Sequence, residues 1–348
     1  MLSEQTVRNA VAVVQDPELK KSLLELGMIR DISIEDGRIS LTLALTTSKC
    51  PKKNAMVEEI KQVLEALPEV ANVEVQLTTL SQKELQDLFP QHPLQGVEKV
   101  QHVLAVASGK GGVGKTTIAI NIALALAAEG NRVGILDADV YGPSVAVMLG
   151  LHDAPEWENR MIIPVQKFGL QVMSLGMLSK EGQALIWRGP MVGKAINQLL
   201  GQVMWGELDY LVVDLPPGTG DPSITVAQSI PKAAVLIVTT PQEVALADVR
   251  RAVELFRKYD LNIVGLVENM SYFMCGHTSE PIEIFGHGGG AKLSEELGLP
   301  LLGAVPIELQ IRVSGDSGVP LMVSAADSEA GHIFQTIARK ILAEVNRP

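Results

Sequence analysis

The stretch Ser108-Gly109-Lys110-Gly111-Gly112-Val113-Gly114-Lys115-Thr116-Thr117 constrains this chain more than any other, because it holds a complete G-x-x-x-x-G-K-T loop. Such a loop needs glycines so that backbone N–H groups can close around phosphates, one lysine for the β- and γ-phosphates, and a Thr hydroxyl for Mg2+. It also needs a strand before it and a helix after it, since the phosphates sit at the helix N-terminus. Both are present. The apolar run Val103–Ala107 precedes the loop and the nearly all-apolar segment Ile118–Ala128 follows it. Gly109 to Thr117 are therefore the expected nucleotide-binding residues, within an α/β domain.

The surrounding pattern extends that reading. Val133–Leu136, Tyr210–Val213, Ala234–Val238 and Ile263–Val267 are short continuous apolar runs, the mark of strands buried on both faces. They alternate with helical segments such as Leu246–Tyr259, which predicts a parallel sheet with helices on both faces over residues 100–348. The first 88 residues are patterned differently. Val7, Ala10, Val11 and Val14 recur at helical spacing between Thr6 and Val14, and Ile39, Leu41, Leu43 and Leu45 alternate after a Glu35-Asp36-Gly37 turn. Lys53–Leu67 then reads as a helix and Ala71–Thr79 as a strand, so a small α+β domain is expected at residues 1–88. Phe89 to Gly96 breaks both periodicities with two prolines and a glycine, which places a linker at residues 89–99.

Three acids follow apolar strands. Asp137-Ala138-Asp139 comes directly after Val133–Leu136, so both carboxylates are expected at the carboxyl end of the sheet, where α/β proteins bind ligands. One would orient or activate the attacking water and the other would lie in the Mg2+ shell; the alternative is that they cap the helix after Pro143. Leu211-Val212-Val213 ends in Asp214, the arrangement by which P-loop NTPases hold a carboxylate near Mg2+. Thr116, Asp137 and Asp214 are thus the expected Mg2+ set. In the turn Pro216-Pro217-Gly218-Thr219-Gly220-Asp221, Gly218 can present its N–H to a γ-phosphate, present before hydrolysis and absent after it. A plain strand-to-helix loop would tolerate the same residues.

Phosphate binding alone does not require Lys110. With it, Gly109–Thr117 resembles the deviant loop of the ParA/MinD/nitrogenase-iron-protein group of ATPases. The resemblance implies a homodimer in which the early lysine reaches the partner's nucleotide, and it makes Asp139 the water-positioning residue. Lys110, Lys115 and Asp139 are then the expected catalytic residues of an ATPase using ATP and Mg2+. With Asp137–Ser144, Asp214–Asp221 and Ile284–Gly290 added, nearly the whole chain resembles the Mrp/ApbC family, ATP-dependent carriers of iron-sulfur clusters. Asp16-Pro17-Glu18-Leu19, Leu26-Gly27-Met28-Ile29 and Leu45–Pro51 resemble the small cluster-assembly domain often fused to them. The family likeness implies ATP hydrolysis, transfer of a cluster to apo iron-sulfur proteins, and an adenine-reading amide at Asn269.

At one place the chain departs from the family. Members that hold a cluster at the dimer interface usually carry C-x-x-C just before the glycine-rich stretch, but here the chain reads Met274-Cys275-Gly276-His277-Thr278. Cys275 matches the first cysteine and Thr278 stands in place of the second. Four thiolates hold a typical [4Fe-4S] cluster, and two copies of Cys275 supply two. His277 is either a replacement ligand or a surface residue. Cys50, beside Pro51, is a ligand, a transfer cysteine, or a small buried side chain.

Composition narrows the remaining functions. With 47% hydrophobic and 20% charged residues the chain packs a core. A net charge of −11 without a dense Lys/Arg run gives no footprint for nucleic acid. No apolar run spans a bilayer, Met1–Gln5 lacks the basic start of a signal segment, and two distant cysteines make no disulfide framework. A cytoplasmic protein acting on neither nucleic acid nor membrane is expected. A MinD- or ParA-like spatial regulator is the alternative, with the amphipathic Ile333–Val345 either a surface helix or packed on the sheet. An ATP-dependent scaffold without a bound cluster is a third reading. Gly286-His287-Gly288-Gly289-Gly290 lacks a following Lys-Ser/Thr and reads as a turn, and Met173, Met177, Met191 and Met204 as core filling.

Overall fold

The computed structural model describes residues 2–17, 21–46, 52–81, 84, 95–139, 142–159, 161–178, 189–220, 223–225, 229–230, 233–275 and 280–346. The chain divides into two compact units, residues 1–91 and 92–348.

The first unit runs α1 (Glu4–Val11), β1 (Ile29–Glu35), β2 (Arg38–Leu45), α2 (Lys53–Glu65) and β3 (Asn72–Thr79). Helix α1 starts earlier than its apolar spacing predicts, because the Ser3 side chain caps it by accepting from the Thr6 N–H. Strands β1 and β2 pair antiparallel across Asp36-Gly37, both at positive φ, as a two-residue hairpin turn requires. Strand β3 adds parallel to β2. Ile39, Leu41 and Leu43 on one face of β2 join Val7, Val11, Ile60 and Leu64 of the helices in a single core. Cys50 and Pro51 lie outside the described residues.

The second unit runs β4 (His102–Ser108), α3 (Lys115–Ala128), β5 (Val133–Asp137), α4 (Val145–Met148), β6 (Trp157–Glu158), β7 (Met161–Ile162), β8 (Val165–Lys167), β9 (Leu170–Ser174), α5 (Gly189–Gln202) and β10 (Tyr210–Asp214). It continues through β11 (Ala234–Thr239), α6 (Glu243–Lys258), β12 (Asn262–Glu268), β13 (Phe273–Met274), β14 (Pro281–Ile282), α7 (Gly289–Leu297), β15 (Leu301–Ala304), α8 (Leu309–Asp316), α9 (Leu321–Ser324) and α10 (Glu329–Val345). Eight strands form one sheet in the order β15-β12-β11-β4-β10-β5-β9-β8. Every pairing in it is parallel except β8 with β9.

The apolar runs become central strands because both faces of the sheet are covered, and the two-residue period sends alternate side chains to two separate cores. Val103, Ala105 and Ala107 of β4 face one core with Leu211, Val213, Val235 and Ile237. Leu104 and Val106 face the other, with Val212, Leu236 and Val238. Helix α3 is apolar on nearly every side because the sheet covers one flank and α10 another. Its one buried amide, Asn121, is satisfied at both ends, donating to the Thr117 carbonyl and accepting from the Met322 N–H. Phe334, Ile337 and Ile341 of α10 are fully buried in the same core, so this amphipathic face packs on the sheet. Each such side chain contributes about 1.5–3 kcal/mol by leaving water. Among the described residues no helix is long and apolar enough to cross a membrane.

Part of the expected linker belongs to this unit. Residues 95–97 form a 3₁₀ turn, and Gly96 lies so close to the Leu200 and Val203 carbonyls that a Cβ there would sit within 2.5 Å of both. Met173 is core, as read from sequence, but Met204 is half-exposed, just past the end of α5.

Candidate functional site

The site forms where β4, β10 and β5 end side by side. Register pairs Asp214 with Val106 on one side and with Asp137 on the other, so the loop after β4 and both acids share one rim. The loop's glycines answer to separate constraints. Gly114 caps α3 at φ 79°, and a Cβ there would lie 2.2 Å from the Asn269 Nδ2. Gly109 presses on α6, where a Cβ would approach the Asp248 backbone to 2.5 Å. Beyond this loop lies a cavity of about 300 Å³ lined by Lys110, Gly112, Lys115, Thr116 and Asp139. The first N–H groups of a helix lack intrahelical acceptors, which makes the α3 terminus an anion seat.

One acid organises the floor of this cavity. Asp214 is completely buried, and its two oxygens divide their partners: Oδ1 lies 2.5 Å from the Lys115 Nζ, and Oδ2 accepts from the Thr116 hydroxyl at 2.6 Å. Burial raises the Asp214 carboxyl above its ordinary value, while the Lys115 charge pulls the other way. Asp139 reaches the same lysine more loosely, with Oδ2 3.9 Å from Nζ.

Asp137, expected in the Mg2+ shell, is bonded within the protein. Its oxygens accept from the Asp139 N–H at 3.1 Å, the Val145 N–H at 3.1 Å and the Ser174 hydroxyl at 2.9 Å. It therefore holds the segment after β5 and the first turn of α4, the capping alternative, because a fully buried carboxylate at this strand end faces backbone donors. Burial, and then the charge of Asp214, push its carboxyl up to about 7. Gly218, expected to offer its N–H to a γ-phosphate, is also bonded within the protein. At φ 90° its N–H donates to the Ser108 carbonyl at 2.8 Å, so this N–H is engaged by β4. Asp221, Val140 and Tyr141 lie outside the described residues.

A second cavity, of about 630 Å³, continues from the first and shares Gly114, Thr117 and Met148 with it. Its walls are mainly apolar, from Met270, Ile284, Phe285, Ile307 and Ile311. Asn269 lines it, and its Nδ2 donates to the Val113 carbonyl at 2.8 Å. That bond fixes which end of the amide is which and leaves Oδ1 as the acceptor end.

Cys275 follows β13 as a half-buried free thiol, directly after Met274, which is 44% exposed; Ile282, paired with Phe273 in the same ribbon, is also 44% exposed. His277 and Thr278 lie outside the described residues. Among the described residues no three His, Cys, Asp or Glu side chains converge to hold a metal ion. In the glycine-rich stretch Gly286 and Gly288 hold positive φ, whereas Gly289 and Gly290 are required by close packing. A Cβ on Gly289 would lie 2.4 Å from the Pro241 carbonyl, and one on Gly290 would lie 2.8 Å from the Glu268 carboxylate. His287 is exposed and pairs with Glu283.

Sequence reading missed Ser174, Asp248 and Glu268 as parts of the site. Of these only Glu268 carried a signal, since it ends the run Ile263–Val267 in an acid just as Asp214 ends Leu211–Val213.

A phosphate loop at a helix N-terminus, with its lysine and threonine bonded to the acid that ends a neighbouring parallel strand, defines a P-loop NTPase. Residues 99–342 match the family described as NUBPL iron-transfer P-loop NTPase, and residues 4–76 match that described as iron-sulfur cluster assembly protein. The chain belongs to the NUBPL iron-transfer P-loop NTPase family. A Synechocystis protein named iron-sulfur cluster carrier protein is 46% identical over 99% of both chains. A Dictyostelium discoideum protein named iron-sulfur cluster transfer protein NUBPL is 47% identical over 74% of this chain and 80% of its own length. Among solved structures, an Archaeoglobus fulgidus nucleotide-binding protein in complex with ADP is similar at 37% identity and a TM-score of 0.57, over 64% of this chain and 88% of its own. The Pyrococcus furiosus cell division ATPase MinD shares the fold, with a TM-score of 0.53 at 22% identity over 70% of this chain and 99% of its own.

Proposed function

We propose that this chain is an ATP-hydrolysing carrier that binds an iron-sulfur cluster and passes it to apo iron-sulfur proteins, working as a homodimer. The observation that carries the reading is the bonded set Lys115–Asp214–Thr116 under the phosphate cavity, with Asp139 at its side. The names borne by relatives that align over nearly the full chain supply the cargo.

Phosphates entering the cavity compete with Asp214 for Lys115, which then neutralises charge on the transferred group. Adjacent hard oxygens from the Thr116 hydroxyl and the Asp214 carboxylate would hold Mg2+. When bound, Mg2+ neutralises β- and γ-phosphate charge. Asp139 orients the attacking water, and Lys110 from the second copy meets the developing charge. Asn269, with its amide nitrogen held by Val113, offers Oδ1 to the 6-amino group of adenine and repels the 6-oxo group of guanine. The cluster is cargo. Two copies of Cys275, the candidate among the described residues, supply two of the four thiolates of a typical [4Fe-4S] cluster.

Turnover of ATP by the full chain with Mg2+, combined with sedimentation, tests the engine. Parent protein hydrolyses ATP and dimerises with a non-hydrolysable analogue, and Lys110→Ala loses turnover. A Lys110→Ala protein turning over at the parental rate, or a parent that stays monomeric with the analogue, contradicts the cross-dimer role.

A further inference from the structure

Between β12 and α7 the chain makes an excursion that carries Cys275, and one buried carboxylate holds both of its ends. Glu268 is 3% exposed. Its Oε1 accepts from the Ser271 hydroxyl at 2.5 Å, where the excursion leaves the sheet, and its Oε2 accepts from the Gly290 N–H at 2.5 Å, where the chain enters α7. Gly290 has to be glycine for that approach. Capping of α7 would account for the second bond alone; it leaves the first unexplained.

The excursion's limbs are also walls of the second cavity. Met270 lines it just before the hairpin, and Ile284 and Phe285 line it just after. Between those limbs, β13 and β14 pair Phe273 with Ile282 and Met274 with Pro281, which places Cys275 directly past the ladder. The stem is fastened to the opposite wall: Ser271 N–H donates to the Val305 carbonyl at 3.0 Å and Ile307 N–H donates to the Tyr272 carbonyl at 2.6 Å. A group seated in this cavity therefore touches both limbs of the hairpin. Neither limb lines the phosphate cavity at Lys115.

We infer that Glu268 is a positioning residue that clasps the Cys275 hairpin to the base cavity, so that the adenosine part of a bound nucleotide is sensed at the Cys275 thiol. This rests on the nucleotide placement proposed above. Packing of a base against Met270, Ile284 and Phe285 orders the ladder, and the clasp carries that order to the thiol in place of letting the limbs part.

The test uses the full chain with Cys50→Ser, which leaves Cys275 the sole thiol, without iron. Its alkylation rate by iodoacetamide is measured with no ligand, with pyrophosphate and with ADP, each at saturation established by calorimetry, with sedimentation in each state. The expected result is that ADP slows alkylation by about fivefold or more while pyrophosphate changes it by less than about twofold. Glu268→Gln replaces one acceptor oxygen with a donor, and with ADP bound it is expected to lose the difference between the two ligands. Should that variant fail to fold, Ser271→Ala opens one limb of the clasp and carries the same expectation. Equal effects of ADP and pyrophosphate, an undiminished difference in the clasp variants, or protection that appears only with dimerisation overturns the inference. Failure of ADP to bind at all overturns the nucleotide placement, and the inference with it; calorimetry tells that failure from the others.

Discussion

The phosphate floor and the Cys275 hairpin lie in the same unit but are built on opposite principles. On the floor, buried polar groups are matched within one chain: Lys115 and Thr116 to Asp214, and Ser174 and two backbone N–H groups to Asp137. At the hairpin a single described thiol follows half-exposed Met274, with half-exposed Ile282 on the paired strand. A site whose charges are satisfied in one chain can bind its ligand as a monomer, whereas one thiol in an apolar surface needs partners to hold a cluster. On the function proposed above, energy use and cargo handling are separable, and the second cavity, lined by Met270, Ile284 and Phe285, is where they meet.

The comparison breaks most visibly at Lys115. Lys115→Ala leaves Asp214 buried without its cation, so turnover is expected to fall by about a thousandfold or more. Urea unfolding of the same variant should register a loss of about 3–5 kcal/mol. A variant of parental stability would mean that the floor is not one bonded unit.

Acid response probes the other buried carboxylate. The folded Asp137 carboxyl titrates near 7, against an ordinary 3.8, so the folded chain holds more protons than the unfolded one between those values. That stabilisation is complete below about pH 4 and is lost as pH rises through about 7, over a range on the order of a few kcal/mol. Compared with Asp137→Asn, the nucleotide-free parent should therefore lose stability from pH 4 to 7; a constant difference would show that the carboxyl is not raised.

Gly114→Ala strains a positive-φ cap and drives a methyl onto the Asn269 amide, which should weaken ADP binding by about tenfold or more in calorimetry. Asn269→Ala should cut the preference for ATP over GTP by about tenfold, with phosphate binding retained. Ile282→Ser, on the hairpin surface, should change unfolding free energy by less than about 0.5 kcal/mol. A large loss there would make the hairpin part of the core and erase the contrast.

Legibility in the sequence followed the length scale of each signal. Strands β4, β5, β10, β11 and β12 were readable because burial on both faces writes continuous apolar runs. The antiparallel β8 and the ribbons β6–β7 and β13–β14 were not, since two or three residues hold no period. Lys115, Thr116 and Asp214 were named from glycine spacing and a strand-ending acid, and the structure bonds them to one another. At Asp137 the third partner, Ser174, comes from β9, a proximity that only the sheet order supplies. Gly218 likewise offered a donor whose present acceptor, Ser108, is set by tertiary packing. Cys50, His277 and Thr278 lie outside the described residues.

Anaerobic reconstitution with iron and sulfide, followed by transfer to an apo [4Fe-4S] acceptor, tests the central claim most directly. The parent should retain iron and sulfide, show charge-transfer absorption and activate the acceptor, and Cys275→Ser should retain far less iron. A parent that hydrolyses ATP yet retains no iron and activates no acceptor would contradict cluster carriage and leave only the NTPase.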